Sequence, residues 1–149
     1  MRILLMLKGS WKGYYQFTTT WVSEEIRKRK TACNLQILQV DGSYFSGTVE
    51  DDLDTGGMEG QGAIKGELEG RDISFVKEMP IQTFMSEDGS LKQAKGRHPK
   101  IYYSGKIDER GTKMSGSWRI KIGLRWQGLV PLIIVPTEGL WEMKKEALD

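Results

Sequence analysis

Lys113-Met114-Ser115-Gly116-Ser117-Trp118-Arg119-Ile120-Lys121-Ile122 decides the fold of this chain. Taken alternately, Met114, Gly116, Trp118, Ile120 and Ile122 form one row. Lys113, Ser115, Ser117, Arg119 and Lys121 form the other. Side chains alternate faces along a β-strand, so this stretch reads as a strand with one buried and one wet face.

The same period recurs in both directions. Gly9–Phe17 carries Trp11, Gly13, Tyr15 and Phe17 in one phase, and residues 32–40 carry Cys33, Leu35 and Ile37. Asp41-Gly42 is a hairpin signal leading into Tyr44–Asp51, with Phe45, Gly47 and Val49 inward. Asp52-Leu53-Asp54-Thr55-Gly56-Gly57 turns the chain into Met58–Leu68, where Ile64 and Leu68 face in. After the turn Glu69–Asp72, Ile73–Met79 is the fifth strand, and Ile101–Ile107 precedes the quoted stretch. Glu138–Lys144 is the last strand, with Trp141 and Met143 in phase. Such short reversals make neighbouring strands antiparallel, since no crossover helix fits.

The connections are less regular. Residues 3–7 either lengthen the first strand or pack across one end of the sheet. Residues 23–30 are highly charged and read as a solvated connection with a helical turn. Within 80–99, Glu87-Asp88-Gly89-Ser90 has the composition of a hairpin tip. Residues 123–136 are expected to be a connection, although Leu129-Val130-Pro131-Leu132-Ile133-Ile134-Val135 is apolar.

With 149 residues, the chain is expected to form one domain, 1–149, large enough for a real core. Its 22 basic and 20 acidic residues nearly cancel, and a formal charge of +2 does not call for a nucleic-acid partner. One cysteine, Cys33, leaves no intramolecular disulfide and fits a reducing, cytoplasmic setting. Met1–Lys8 lacks the long apolar region and small-residue cleavage site of a signal peptide. No run approaches the ~20 apolar residues of a membrane span, so no membrane association is expected.

About eight sequential strands with short turns imply an all-β, single antiparallel up-and-down barrel, because closure removes exposed edges. Gly47, Gly66, Gly105 and Gly116 lie inside strands, where a small barrel must bend sharply. A two-sheet sandwich is the alternative that the same alternation permits. Gly9-Ser10-Trp11, Phe45-Ser46-Gly47, Gly116-Ser117-Trp118 and Gly139-Leu140-Trp141 resemble, in order and spacing, the calycin group of lipocalins, fatty-acid-binding proteins and avidins. The resemblance covers nearly the whole chain and implies a calycin-like barrel with an interior ligand site. Lys12-Gly13-Tyr14 after Trp11 departs from the residues with which avidins grip biotin. The disulfides of secreted lipocalins and the two-helix lid of fatty-acid-binding proteins have no counterpart.

Two charges break the inward pattern. Lys77 shares a row with Ile73, Phe75 and Met79, and Asp51 ends the row of Phe45, Gly47 and Val49. They either converge across the interior, with Tyr15 or Tyr103 supplying further hydrogen bonds, or sit near the rim and reach water. The rim reading is favoured, because lysine stems snorkel. In the first reading Tyr15, Asp51, Lys77, Tyr103 and Trp118 line a ligand site. For Trp11, Trp118 and Trp141, core filling is favoured over ligand stacking. Glu50-Asp51-Asp52-Leu53-Asp54 lacks the ligand spacing of a calcium loop and reads as a solvated hairpin. His98 is the one histidine, which excludes a multi-histidine metal site, and Cys33 mid-strand reads as an inert buried thiol.

No catalytic or cofactor motif stands out, so no metal or cofactor is expected and an enzyme is the weakest reading. The preferred function is non-enzymatic binding of a small, partly apolar molecule in the barrel. The alternative is a packed barrel acting as an interaction or oligomerisation module through Leu129, Leu132, Ile133 and Ile134.

Overall fold

The alternating stretch forms a strand over Lys113–Ile120, with Met114 and Trp118 buried and Lys113, Ser115, Ser117 and Arg119 exposed. In the computed structural model it is one of twelve strands among the described residues. They are β1 (Gly9–Phe17), β2 (Thr31–Asp41), β3 (Tyr44–Asp51), β4 (Gln61–Glu69), β5 (Asp72–Glu78), β6 (Gln82–Met85), β7 (Leu91–Ala94), β8 (Ile101–Ile107), β9 (Lys113–Ile120), β10 (Gly123–Gln127), β11 (Val130–Ile134) and β12 (Thr137–Lys145). A short helix α1 spans Glu24–Lys28, and a 3-10 turn spans Leu53–Thr55. The structure describes residues 6–20, 22–85, 91–94, 98–121, 123–134 and 136–146, with backbone alone at 82–85, 91, 92, 94, 123–127 and 130–134.

Eight strands close into an antiparallel barrel in the order β1-β12-β9-β8-β5-β4-β3-β2. Every chain-consecutive pair of barrel strands is adjacent, and β12 meets β1, so the expected up-and-down barrel is what forms. Closure rules out the two-sheet sandwich. Trp11, Phe45, Ile64, Phe75, Ile101, Trp118 and Trp141 are all buried in one core, as the alternation requires. Gly105 pairs with Gly116 across β8 and β9. A Cβ on Gly116 would run into the Ser104 carbonyl, and one on Gly105 into that of Ser115. Glycine is what lets these strands approach so closely while coiling.

Residues 123–136, expected to be a connection, contain a hairpin, and strands extend into 80–99 as its hairpin-tip composition suggests. β10 and β11 pair over residues 123–134. Gly128, at φ +66°, opens the two-residue turn Gly128-Leu129, a conformation glycine adopts without strain. β6 and β7 pair within 80–99, and the expected tip, Glu87–Ser90, lies outside the described residues. The fourth strand begins at Gln61 instead of Met58, because the connection before it curls into the 3-10 turn.

The two barrel ends differ. At one end, tight turns join β2 to β3, β4 to β5 and β8 to β9. There Leu7 is fully buried and accepts a 2.8 Å hydrogen bond from Trp11 Nε1. The Lys145 ammonium also donates to the Met6 carbonyl. Residues 6 and 7 thus pack across this end, and residues 3–5 lie outside the described set. At the other end stand α1, the 3-10 turn and both extra hairpins, which connect β1 to β2, β3 to β4, β5 to β8 and β9 to β12. One end is plugged, and the other carries every long connection.

Candidate functional site

Cross-strand register builds an aromatic belt inside the barrel. Phe45 pairs with Gly66, Gly66 with Phe75, Phe75 with Tyr103, Tyr103 with Trp118, and Trp118 with Gly139, which pairs with Phe17. Phe75 stacks on Tyr103 at 4.6 Å, and Trp141 stands edge-on to both. Trp118 is edge-on to Phe17 at 5.0 Å and to Tyr15 at 6.0 Å. Such tilted contacts are the preferred geometry of packed rings.

Lys77 and Asp51 come from strands that are not neighbours, and their side chains are 1% and 0% exposed. This overturns the rim reading. The Lys77 ammonium lies 2.7 Å from Asp51 Oδ1. It is also in electrostatic reach of Tyr103 and sits 4.7 Å from the centroid of the Tyr15 ring. Asp51 Oδ2 accepts the Tyr15 hydroxyl at 2.6 Å and the Met58 N–H at 3.0 Å. An ammonium has three donors, and here each side of it meets the carboxylate, a phenol or an aromatic face. A buried ion pair is tolerated only with such additional partners.

The neighbouring connection fixes this geometry. Asp52 caps the 3-10 turn by accepting from Asp54 N–H. Thr55 bonds back to β2 twice, taking the Thr31 hydroxyl at its carbonyl and the Ala32 N–H at its own hydroxyl. The acidic run is therefore not one solvated hairpin: Asp52 caps a turn while Asp51 points into the core.

Electrostatics follow from burial and proximity. Burial alone pulls the Lys77 ammonium down, but Tyr103, Asp51 and Cys33 outweigh it and hold it above its ordinary value. Burial, then the Asp51 carboxylate, pushes the Tyr15 hydroxyl well above its usual range. Burial also raises Tyr103, against the opposing pull of Lys77. Cys33 is pushed up to about 12 by burial, which makes it the inert thiol expected of a mid-strand cysteine.

Of the residues singled out from the sequence, Tyr15, Asp51, Lys77 and Tyr103 form one contiguous cluster, and Trp118 adjoins it through Tyr15. The three Gly-x-Trp tryptophans differ in one respect. Trp11 Nε1 donates to Leu7, and Trp141 Nε1 donates to the Ser104 and Ser117 carbonyls at 3.1 Å each. Trp118 is 3% exposed, and its Nε1 has no hydrogen-bond partner. Beside it Phe17 and Ile120 are only partly buried, on the side of the long connections. The Met58 N–H is a contributor the alternation missed, because a backbone donor carries no sequence signal.

A cleft of about 1050 Å³ lined by described residues lies on the outer wall. It runs between the outward row Lys65, Val76, Tyr102 and the outward row Glu67, Ser74, Ser104. The side chains of Leu132, Ile133 and Ile134 lie outside the described set, and Leu129 at the hairpin tip is 97% exposed. Among the described residues no group of histidine, cysteine, aspartate and glutamate is arranged to hold a metal ion. Nor is any helix among them long and apolar enough to cross a membrane. No protein-family model, curated protein or solved structure matches this chain significantly.

Proposed function

We propose that this barrel is a calycin-like, non-enzymatic binding protein that holds a small, partly apolar molecule at the end bearing the long connections. Trp118, flanked by Phe17 and Ile120, is the contact surface. Tyr15, Asp51, Lys77 and Tyr103 form the polar wall behind it. One observation carries this reading: Trp118 Nε1 is a buried donor with no acceptor in the protein. Leaving such a donor unpaired costs about 1–3 kcal/mol, and native cores nearly always avoid it. The two sister tryptophans do avoid it. The plugged opposite end and the half-open apolar pair Phe17 and Ile120 support entry from this side. A reducing, cytoplasmic setting belongs to the same reading, supported by the single buried cysteine.

The test is titration with N-phenyl-1-naphthylamine, an uncharged fluorophore that brightens in apolar sites. Saturable binding of one probe per chain is expected. Enhancement that rises without saturation, or is absent, refutes the reading.

A second reading is favoured by Leu129 alone. A leucine so fully exposed at a hairpin tip is suited to a partner surface, which would make the hairpin carrying Leu129, Leu132, Ile133 and Ile134 an oligomerisation element. Light scattering decides it: a dimer that Leu129→Ser dissociates supports it, and a parent that stays monomeric on concentration removes it.

A further inference from the structure

The polar groups at this end have an uneven balance of commitments, and that balance restricts what chemistry a guest can bring. The inference rests on the binding reading above. An anionic head group needs a cation with free donors. The buried cation here, Lys77, is neutralised by Asp51 at 2.7 Å, and its remaining sides are taken by Tyr103 and the Tyr15 ring. Asp51 is equally engaged, with one oxygen on Lys77 and the other accepting from Tyr15 and Met58. The cluster is therefore close to net neutral and offers a guest no free charge. Both tyrosine hydroxyls are held in the protonated form well beyond neutral pH, so no further charge develops.

Most of the other described basic residues near this end are engaged or outward. Arg27 donates to the Thr20 and Val22 carbonyls, Lys28 pairs with Glu24, and Lys100 pairs with Glu78. Lys30 and Lys121 lie over the outward rings of Tyr14 and Tyr102. Arg29 is the competitor: its guanidinium packs against Gly56, and one of its terminal nitrogens is buried without a partner. Arg29 is only half-buried, however, whereas the Trp118 indole lies in the core beside the partly open Phe17 and Ile120. Among the described residues, the core donor atom left without any partner is thus a neutral N–H, Trp118 Nε1.

We infer that the guest is an uncharged, largely apolar molecule with one hydrogen-bond acceptor, a ketone, ester or similar carbonyl, which accepts from Trp118 Nε1; free carboxylates are discriminated against. A neutral acceptor satisfies the orphan indole, while a carboxylate beside Trp118 would give up its hydration and find the described core cation, Lys77, already paired with Asp51.

The experiment displaces bound N-phenyl-1-naphthylamine with three probes of equal chain length: 2-undecanone, undecanoate and undecane. The ketone is expected to displace at concentrations about three- to tenfold below the hydrocarbon, the scale of one hydrogen bond, and further below the carboxylate. Trp118→Phe keeps the ring and removes the N–H. It should erase the ketone's advantage over undecane, with both displacements scaled to the variant's own N-phenyl-1-naphthylamine affinity. Should that variant fail to fold, proton–nitrogen spectra of the parent provide the second readout: one tryptophan indole resonance should move downfield with 2-undecanone and stay put with undecane. Undecanoate displacing as well as the ketone, a preference that survives Trp118→Phe, or an unmoved indole resonance overturns this inference and leaves the binding reading standing. Absence of saturable N-phenyl-1-naphthylamine binding refutes the binding reading itself.

Discussion

Lys77→Met is the perturbation that the buried cluster makes most informative. Methionine preserves the length and apolar stem of lysine and deletes the ammonium. Asp51 is then left in the core with two neutral donors, the Tyr15 hydroxyl and the Met58 N–H, and no counter-charge. Removing one partner of a buried ion pair costs about 3–5 kcal/mol. The surviving hydrogen bonds argue for the lower part of that range, about 3 kcal/mol. For a chain of 149 residues that is a melting temperature about 10 °C lower. It would also consume a large share of the roughly 5–15 kcal/mol that typically separates folded from unfolded states.

Urea and thermal unfolding followed by circular dichroism measure this directly. The double variant Lys77→Met with Asp51→Asn closes the cycle. Removing both charges should recover at least about 2 kcal/mol relative to Lys77→Met alone, because the uncompensated ion is gone. Lys106→Met is the control. Its partner Asp72 is also 2.8 Å away, but both side chains are about 70% exposed, and no measurable change is expected. If Lys77→Met unfolds within about 0.5 kcal/mol of the parent, or the cycle shows no coupling, the buried pair does not hold the barrel as described.

Three further outcomes follow from the same geometry. Cys33, buried and titrating at about 12, should resist thiol reagents at pH 8 and react at once in denaturing urea; rapid labelling of the native protein would contradict its placement. Alkaline stability should fall from about pH 9 upward: Cys33, Tyr15 and Tyr103 ionise near 8.5 and 10 when unfolded but resist ionisation when folded, so high pH favours the unfolded chain. The Lys77 contribution has the same sign, present below its unfolded value and lost as pH rises through the folded one, and pH-dependent urea midpoints would show a flat curve if these groups were exposed. Gly116→Ala should destabilise by more than about 1 kcal/mol, because its Cβ meets the Ser104 carbonyl; a neutral effect would mean the strands are not so close.

The barrel was legible because a period of two assigns each residue to a face, and eight segments showed it clearly enough to imply a closed meander. Met114, Trp118, Phe75 and Trp141 are buried for the reason their spacing gives. Face assignment says nothing about depth, and this is where Lys77 was misjudged. The rim reading rests on the tendency of lysine stems to snorkel to water, and Lys77 does lie next to last in β5. The end of a strand is not the end of this molecule. The connection after Asp51 curls back through the 3-10 turn, and α1 and the β6–β7 hairpin continue beyond the barrel strands on the same side. Those additions rest on Gly128 in a left-handed turn, on capping by Asp52 and on long-range bonds such as Thr31 to Thr55. Only the glycine and the cap have a local signature.

The three Gly-x-Trp segments show the same limit at the level of single atoms. Alternation places Trp11, Trp118 and Trp141 on the inward face with equal force, and nothing in their neighbours along the chain separates them. What separates them is the acceptor each indole meets. Trp11 finds Leu7, four residues back. Trp141 reaches carbonyls on β8 and β9, beside the Gly105 and Gly116 pair where those strands come closest. Trp118 pairs with Gly139 across the sheet, between Tyr15 and Phe17, and this surrounding of rings and a bare glycine offers it no acceptor. Partnering of a buried donor is thus set by register between distant strands, a property the whole barrel determines. For that reason the donor with no protein partner, more than the conspicuous charges of Lys77 and Asp51, directs attention to what this end of the barrel can hold. The charges complete each other, and the indole N–H is left to be completed from outside the chain.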